Sequence, residues 1–419
     1  MERNAFNRNR PRVLAIVPAF IPSTTLMVVK PLTNLHRAGQ IVADITLEPW
    51  VSARQMDRAD VIAFSRNTDP AVLDLALASG KPIIYNLDDN LLEIPASDDD
   101  GLEKKELGSY LRTANLVRAY SEPLKNYLQQ FNSRVETVEC AVDWRLIPSA
   151  PPQRDNKTIS IVYATSRWQT DRMPSLFLDD LCKLLESHDH VRAFFWGYHP
   201  KELRGYRNVR FIDFTPNYDK FLRRFANDGF DIGLAPLVDD DFHRSKCPNK
   251  FREYAASRVA GIYSDVSVYS SVVEHERTGL LVPKEPGAWF AAMSRLIRDN
   301  ELRQRIQTEA HAVARARYTS AKDEDVWLKQ IERLVNESTA HRDSPVSAER
   351  VVASRSIKRT STGLLGLTRR MCSQLLLLLK IWWHAGAVRA YRSLRLQVST
   401  ISQLARVRLA LINIPARDE

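Results

Sequence analysis

The segment Asp239-Asp240-Asp241-Phe242-His243-Arg244-Ser245-Lys246-Cys247-Pro248-Asn249-Lys250-Phe251-Arg252-Glu253-Tyr254 gathers acids, cations and an imidazole into one short stretch. Pro248 suits the first turn of a helix, where its missing N–H leaves no intrahelical bond unmade. The free amides of that turn face the preceding loop and carry the positive end of the helix dipole. With Asn249 at the start and Arg244, Lys246 and Lys250 around it, the arrangement fits a phosphate group. Glu253, one turn further in, offers a carboxylate that accepts hydrogen bonds from sugar hydroxyls. The same residues also fit a solvated charged loop followed by a helix with an ordinary Lys250–Glu253 surface pair.

Other groups that could do chemistry have weaker patterns. The acidic runs Asp98-Asp99-Asp100 and Asp239-Asp240-Asp241 resemble metal-binding motifs, but both fall in loops, where a charge run is ordinarily solvated. His188-x-His190 lacks a third ligand. The four cysteines, Cys140, Cys182, Cys247 and Cys372, form no CxxC pair and no zinc spacing, a usage that fits a reducing cytosol. None of the 14 glycines is arranged as GxGxxG or as a P-loop, which weakens the dinucleotide and kinase readings.

The elements that must position these residues alternate between β and α patterns. In the first part, strands are expected at Val13–Val17, Asp60–Phe64, Pro82–Tyr85, Ala114–Tyr120 and Val135–Val138, with helices at Leu26–Ala38, Pro70–Ala78 and Pro123–Phe131, the last after the N-cap candidate Ser121. Asp143 to Lys157, with its prolines and no periodicity, reads as an interdomain linker. A second alternation follows. Its strands are Ile159–Tyr163, Val191–Trp196, Val209–Ile212, Asp231–Ala235, Gly261–Ser264 and Gly279–Val282, and helices fill the gaps at 172–187, 218–227, 248–257, 286–298, 301–316 and 321–335. This is an α/β chain of two doubly wound Rossmann-like domains, over residues 1–145 and 146–336, facing a cleft at the carboxyl ends of their strands.

Charge separates a third region. The chain holds 60 Lys and Arg against 50 Asp and Glu, yet residues 340–419 alone hold 14 against 4, so the body is formally neutral. Residues 337–362 read as a polar, basic linker within a tail of 337–419. The stretch Gln374–His384 is apolar but too short and interrupted for a membrane span. Beyond Gly386 the pattern is amphipathic, with Arg392, Arg395 and Arg406 on one face and Leu394, Val398 and Ile401 on another. A basic, Leu- and Trp-rich tail fits an anionic membrane surface through residues 364–414, and it equally fits a helical hairpin packed on protein. Nucleic acid is a poor fit, because the aromatics cluster among leucines rather than between cations. The polar N-terminus lacks the apolar core of a secretion signal.

The motifs in order carry a resemblance. Lys246-x-Pro-Asn-Lys250-x-x-Glu253-Tyr-Ala, Gly261-Ile-Tyr-Ser-Asp265 and Thr278-Gly279-Leu-Leu-Val282 resemble the donor-binding half of the group 1, or family 4, glycosyltransferases of GT-B fold. Asp60-Val-Ile, Gly80-Lys-Pro-Ile-Ile-Tyr-Asn-Leu-Asp88-Asp89, Ser121-Glu122 and Val142-Asp143 sit where that family has its first-domain strand ends and domain crossing. The likeness spans residues 12–335. It implies transfer of a sugar, with retention, from a nucleotide-sugar co-substrate, without metal or other cofactor, to a glycan or lipid-linked acceptor in the cytoplasm or on the inner membrane face, as in surface-glycan or polysaccharide assembly. In the family's Glu-x7-Glu motif the second Glu meets the ribose and corresponds to Glu253. Eight residues earlier stands Ser245, so the first Glu is missing. The cations Arg244, Lys246 and Lys250 would neutralise the leaving diphosphate, and Ser166 and Arg167 occupy a loop that relatives place against it. Many relatives have His where this chain has Asp88-Asp89. A carboxylate there could orient or deprotonate an acceptor hydroxyl, or simply cap the next turn. The competing readings are a non-catalytic GT-B scaffold subunit of a glycan-assembly complex and another GT-B enzyme such as a sugar-nucleotide epimerase.

Overall fold

The computed structural model describes residues 10–94, 104–152, 157–165, 173–342, 403–407 and 411. Apolar runs bounded by loop residues become strands covered on both faces, as parallel sheets require. The first sheet comprises β1 (Arg12–Val17), β2 (Val42–Leu47), β3 (Val61–Ser65), β4 (Ile83–Leu87), β5 (Leu116–Ala119) and β6 (Val135–Thr137), in the order β2-β1-β3-β4-β5-β6. The second comprises β7 (Ile159–Ala164), β8 (Val191–Trp196), β9 (Val209–Ile212), β10 (Ile232–Ala235), β11 (Ala260–Ser264) and β12 (Leu280–Val282), in the order β12-β11-β10-β7-β8-β9. Every named pairing is parallel. Side chains alternate between faces: Val13, Ala15 and Val17 enter one core of the first domain, Leu14 and Ile16 the other. Winding reverses between β1 and β3 and again between β7 and β10. Loops leave these strand ends in opposite directions, which opens a crevice in each sheet. The expected α/β class, with two doubly wound parallel sheets, is the class observed.

Among the elements that arise where none was expected are β2, the helix Ala53–Arg58, the helix Lys104–Thr113 and the short helices Asp241–Arg244 and Ser267–Ser270. β2 is an edge strand whose alternation is broken, since Asp44 is exposed while Thr46 is fully buried. The helix expected over 321–335 runs from Ser320 to Arg342, so residues 337–342 of the expected linker are helical. This helix also leaves the second sheet. Its Trp327, Ile331 and Leu334 join the core of the first domain, although residues up to 336 were expected to form one unit with the second sheet.

Pro31 explains part of that docking. It has no N–H to return to the carbonyl of Met27, and this oxygen accepts instead from Trp327 Nε1 at 3.0 Å and the Tyr120 hydroxyl at 3.3 Å. Arg118, wholly buried on β5, lies 3.8 Å over the Trp327 ring and donates to Asp323 at 3.1 Å and Gln330 at 2.6 Å. In the tail, Leu404 is buried in the same core, Val407 and Leu411 pack beside it, and the Leu411 carbonyl lies 3.2 Å from His36 Nε2. The apolar stretch 374–384 and nearly all of 364–414 lie outside the described residues. Among the described residues, no helix is long and apolar enough to cross a membrane.

Candidate functional site

The helix Asn249–Ala256 follows β10 through the loop 236–248. Two features clamp it to the sheet. A Cβ on Gly233 would stand 2.6 Å from the Tyr254 ring, so glycine there admits the ring, and the Tyr254 hydroxyl donates to the Leu234 carbonyl at 2.8 Å. Arg252, also buried, ties the helix to the domain crossing by donating to the Cys140 carbonyl at 3.3 Å, and it donates to Asn249 Oδ1 at 2.8 Å. Asn249 therefore spends its acceptor inside the helix. Lys250 reaches Glu253 Oε2 at 2.7 Å. The pair forms, but it is not the solvated one: Glu253 is 7% exposed.

The preceding loop is built on its acids. Asp240 caps the short helix Asp241–Arg244 by accepting from the His243 amide at 2.8 Å, and it also meets His243 Nδ1 at 2.6 Å. Arg244 is exposed and donates to Asp239 at 2.7 and 3.1 Å and to Asp241 at 3.2 Å. Its guanidinium is thus engaged at the surface. Ser245 is buried, and its hydroxyl donates back to the Asp241 carbonyl at 3.1 Å. Lys246 lies 4.3 Å over the Phe242 ring and reaches across the cleft to Asp89 Oδ1 at 3.0 Å.

Asp89 belongs to the first domain, where Asp88 and Asp89 follow β4. Arg66, at the end of β3, lies 3.5 Å from Asp88 and 3.9 Å from Asp89 and donates to the Ser23 hydroxyl at 3.2 Å. Asp88 is buried, which pushes its carboxyl pKa up, while the Arg66 guanidinium opposes the rise. Arg66 takes a left-handed backbone, φ 60°, that non-glycine residues rarely adopt. No sequence motif marked this arginine. A second seam bond joins the domains: the Ser121 hydroxyl caps its own helix and donates to the Ser245 carbonyl at 2.7 Å.

The structure therefore brings Asp88, Asp89 and Lys246 together, places Lys250 with Glu253 one turn further along the same segment, and holds Arg244 outside. Ser166 and Arg167 lie outside the described residues. A small cavity of about 20 Å³ lies at the domain crossing between Lys30, Asn34, Asp143, Arg145 and Glu324, and none of its lining residues belongs to the aspartate–lysine cluster. Among the described residues, no three or more His, Cys, Asp or Glu side chains gather as a metal ion would need.

A cationic loop and a helix start beside the winding reversal of β7 and β10 are the setting in which the comparisons fall. Residues 159–299 match the family model of glycosyl transferases group 1. The group 1 match covers about a third of the chain and takes in the whole segment from Asp239 to Tyr254. Solved structures extend the likeness over both sheets. HepE from Anabaena, solved in complex with UDP-glucose, is 14% identical with a TM-score of 0.55, covering 78% of this chain and 99% of that one. A glycosyltransferase from Rickettsia africae ESF-5 is 13% identical with a TM-score of 0.59, covering 78% and 99%. Sucrose-phosphate synthase from Thermosynechococcus elongatus is 12% identical with a TM-score of 0.55, covering 78% and 100%. At such identities the likeness is one of fold, and the fold is GT-B. No curated protein matches the sequence.

Proposed function

We propose that this protein is a glycosyltransferase that moves a sugar from a nucleotide-sugar donor on the second domain to an acceptor against the first. The observation that carries the reading is the placement of Lys246, Lys250 and the buried Glu253 at the carboxyl end of β10, inside the group 1 match. HepE was solved with UDP-glucose, so a uridine diphosphate sugar is the first donor to try. Departure of the diphosphate builds negative charge on its oxygens, and the cations Lys246 and Lys250 stabilise that charge. Glu253 accepts from the ribose hydroxyls. The acceptor hydroxyl attacks the anomeric carbon from the face the diphosphate leaves, which retains configuration. Its proton passes to the departing diphosphate, and Asp88 orients the hydroxyl. No metal enters this scheme.

The acceptor in this reading is a glycan or a lipid-linked glycan, used in surface-glycan or polysaccharide assembly. The basic tail supports it: 14 cations against 4 acids over residues 340–419 suit the anionic inner face of a membrane, where the enzyme would be peripheral. The donor half of the proposal is tested with UDP-, GDP-, ADP- and dTDP-glucose, by binding and by release of the nucleoside diphosphate. Failure with all four removes the enzyme reading.

A further inference from the structure

Lys246 meets two partners, the Phe242 ring at 4.3 Å and the Asp89 carboxylate at 3.0 Å. The second is supplied by the other domain. Both side chains of the bridge are largely withdrawn from water, at 19% and 21% exposure, so it is screened less than a surface pair. Nearby contacts press the same loop onto the first domain: Ser121 holds the Ser245 carbonyl, and the helix Asp241–Arg244 packs against the turn Leu91–Glu93. Asn90, which opens that turn, is wholly buried with both side-chain polar atoms unpaired. An unsatisfied buried carboxamide is costly, so this turn of the first domain carries strain beside the bridge.

We infer that Asp89 competes with the donor's diphosphate for Lys246, so that donor binding breaks the Asp89–Lys246 bridge and hands Asp89 back to the acceptor side with Arg66. The inference rests on the donor reading above and assigns the paired aspartates different tasks. Asp88, buried beside Arg66, stays with the acceptor. Asp89 is a gate that senses the donor: a carboxylate and a diphosphate are both anions that take N–H donors from an ammonium, and they repel each other across it. The gate makes binding ordered, with the nucleotide first.

A double-mutant cycle tests the gate, with UDP, GDP, ADP and dTDP titrated calorimetrically into wild type, Asp89→Asn, Lys246→Met and the double variant. Removing a competing carboxylate should tighten binding of whichever nucleotide wild type takes by about 5-fold, the upper range for one ion pair. In the Lys246→Met background the same substitution should change nothing. Asp89→Ser, which removes the charge with a smaller side chain, should repeat the gain. Binding that weakens or stays unchanged in Asp89→Asn overturns the gate. An equal gain with and without Lys246 also overturns it, because that is simple repulsion through space. If wild type binds none of the four nucleotides, the donor site itself fails and the gate falls with it, an outcome distinct from intact binding without coupling.

Discussion

Asp88 and Asp89 are neighbours in sequence with unlike surroundings, and the difference has a measurable consequence. Asp88 is buried next to Arg66, and burial lifts its pKa above the ordinary carboxylate range near 4. A raised pKa means that the carboxyl takes up its proton at a higher pH than usual. The kcat/KM of transfer should therefore fall with acid through a limb lying above that range, and Asp88→Asn should lower transfer by about 100-fold or more while removing the limb. A limb that persists unchanged in the variant contradicts the acceptor role of Asp88. At this scale the sequence was partly legible. Lys246, Lys250, Glu253 and the aspartates announce themselves by type and spacing. Arg66 does not, because a left-handed backbone in a non-glycine residue has no sequence signature. Arg244 is the reverse case: its acidic neighbours Asp239 and Asp241 stand in plain sight in the sequence, and they occupy its guanidinium.

The helix Asn249–Ala256 carries Lys250 and Glu253, to which the proposal assigns donor contacts, so its seat on β10 governs their geometry. Gly233 is the weak point of that seat. A methyl group there meets the Tyr254 ring at 2.6 Å and would lever the helix away from the strand. Gly233→Ala should lower stability by about 1–3 kcal/mol, as overpacking does, and should weaken nucleotide binding without touching any binding residue. Denaturant unfolding and a nucleotide titration on one preparation check both effects; full stability would show that the helix has room to move. The strands of the second sheet are legible because each is a compact apolar run ended by loop residues, and Val191–Trp196 and Val209–Ile212 fall where expected. β2 escaped because it mixes exposed Asp44 with buried Thr46. The helix Lys104–Thr113 escaped because its polar residues carry only a narrow buried face at Leu107, Gly108, Tyr110 and Leu111.

Across the whole molecule, the two sheets are joined by more than a linker. The helix Ser320–Arg342 leaves the second sheet and packs on the first, held by Arg118, Trp327 and the carbonyl freed at Met27. Such a long-range return is invisible to local periodicity, which shows that a helix exists but not which core receives it. The net charge of +10 belongs to the tail, and the described piece of that tail is anchored on the first domain through Leu404. If the tail meets anionic lipid, the full-length protein should pellet with phosphatidylserine-containing vesicles at low salt, and Arg389→Ser, Arg392→Ser and Arg395→Ser together should reduce pelleting, by about 1 kcal/mol per lost cation. Equal pelleting of both proteins would refute the membrane contact. The most direct test of the central claim is donor binding itself: calorimetric titration of UDP-, GDP-, ADP- and dTDP-glucose into wild type and Glu253→Gln. The account predicts saturable binding of at least one donor by wild type, and binding about 10-fold weaker in the variant, the loss of one hydrogen bond to a charged group. No binding of any donor, or equal affinity in both proteins, would contradict it.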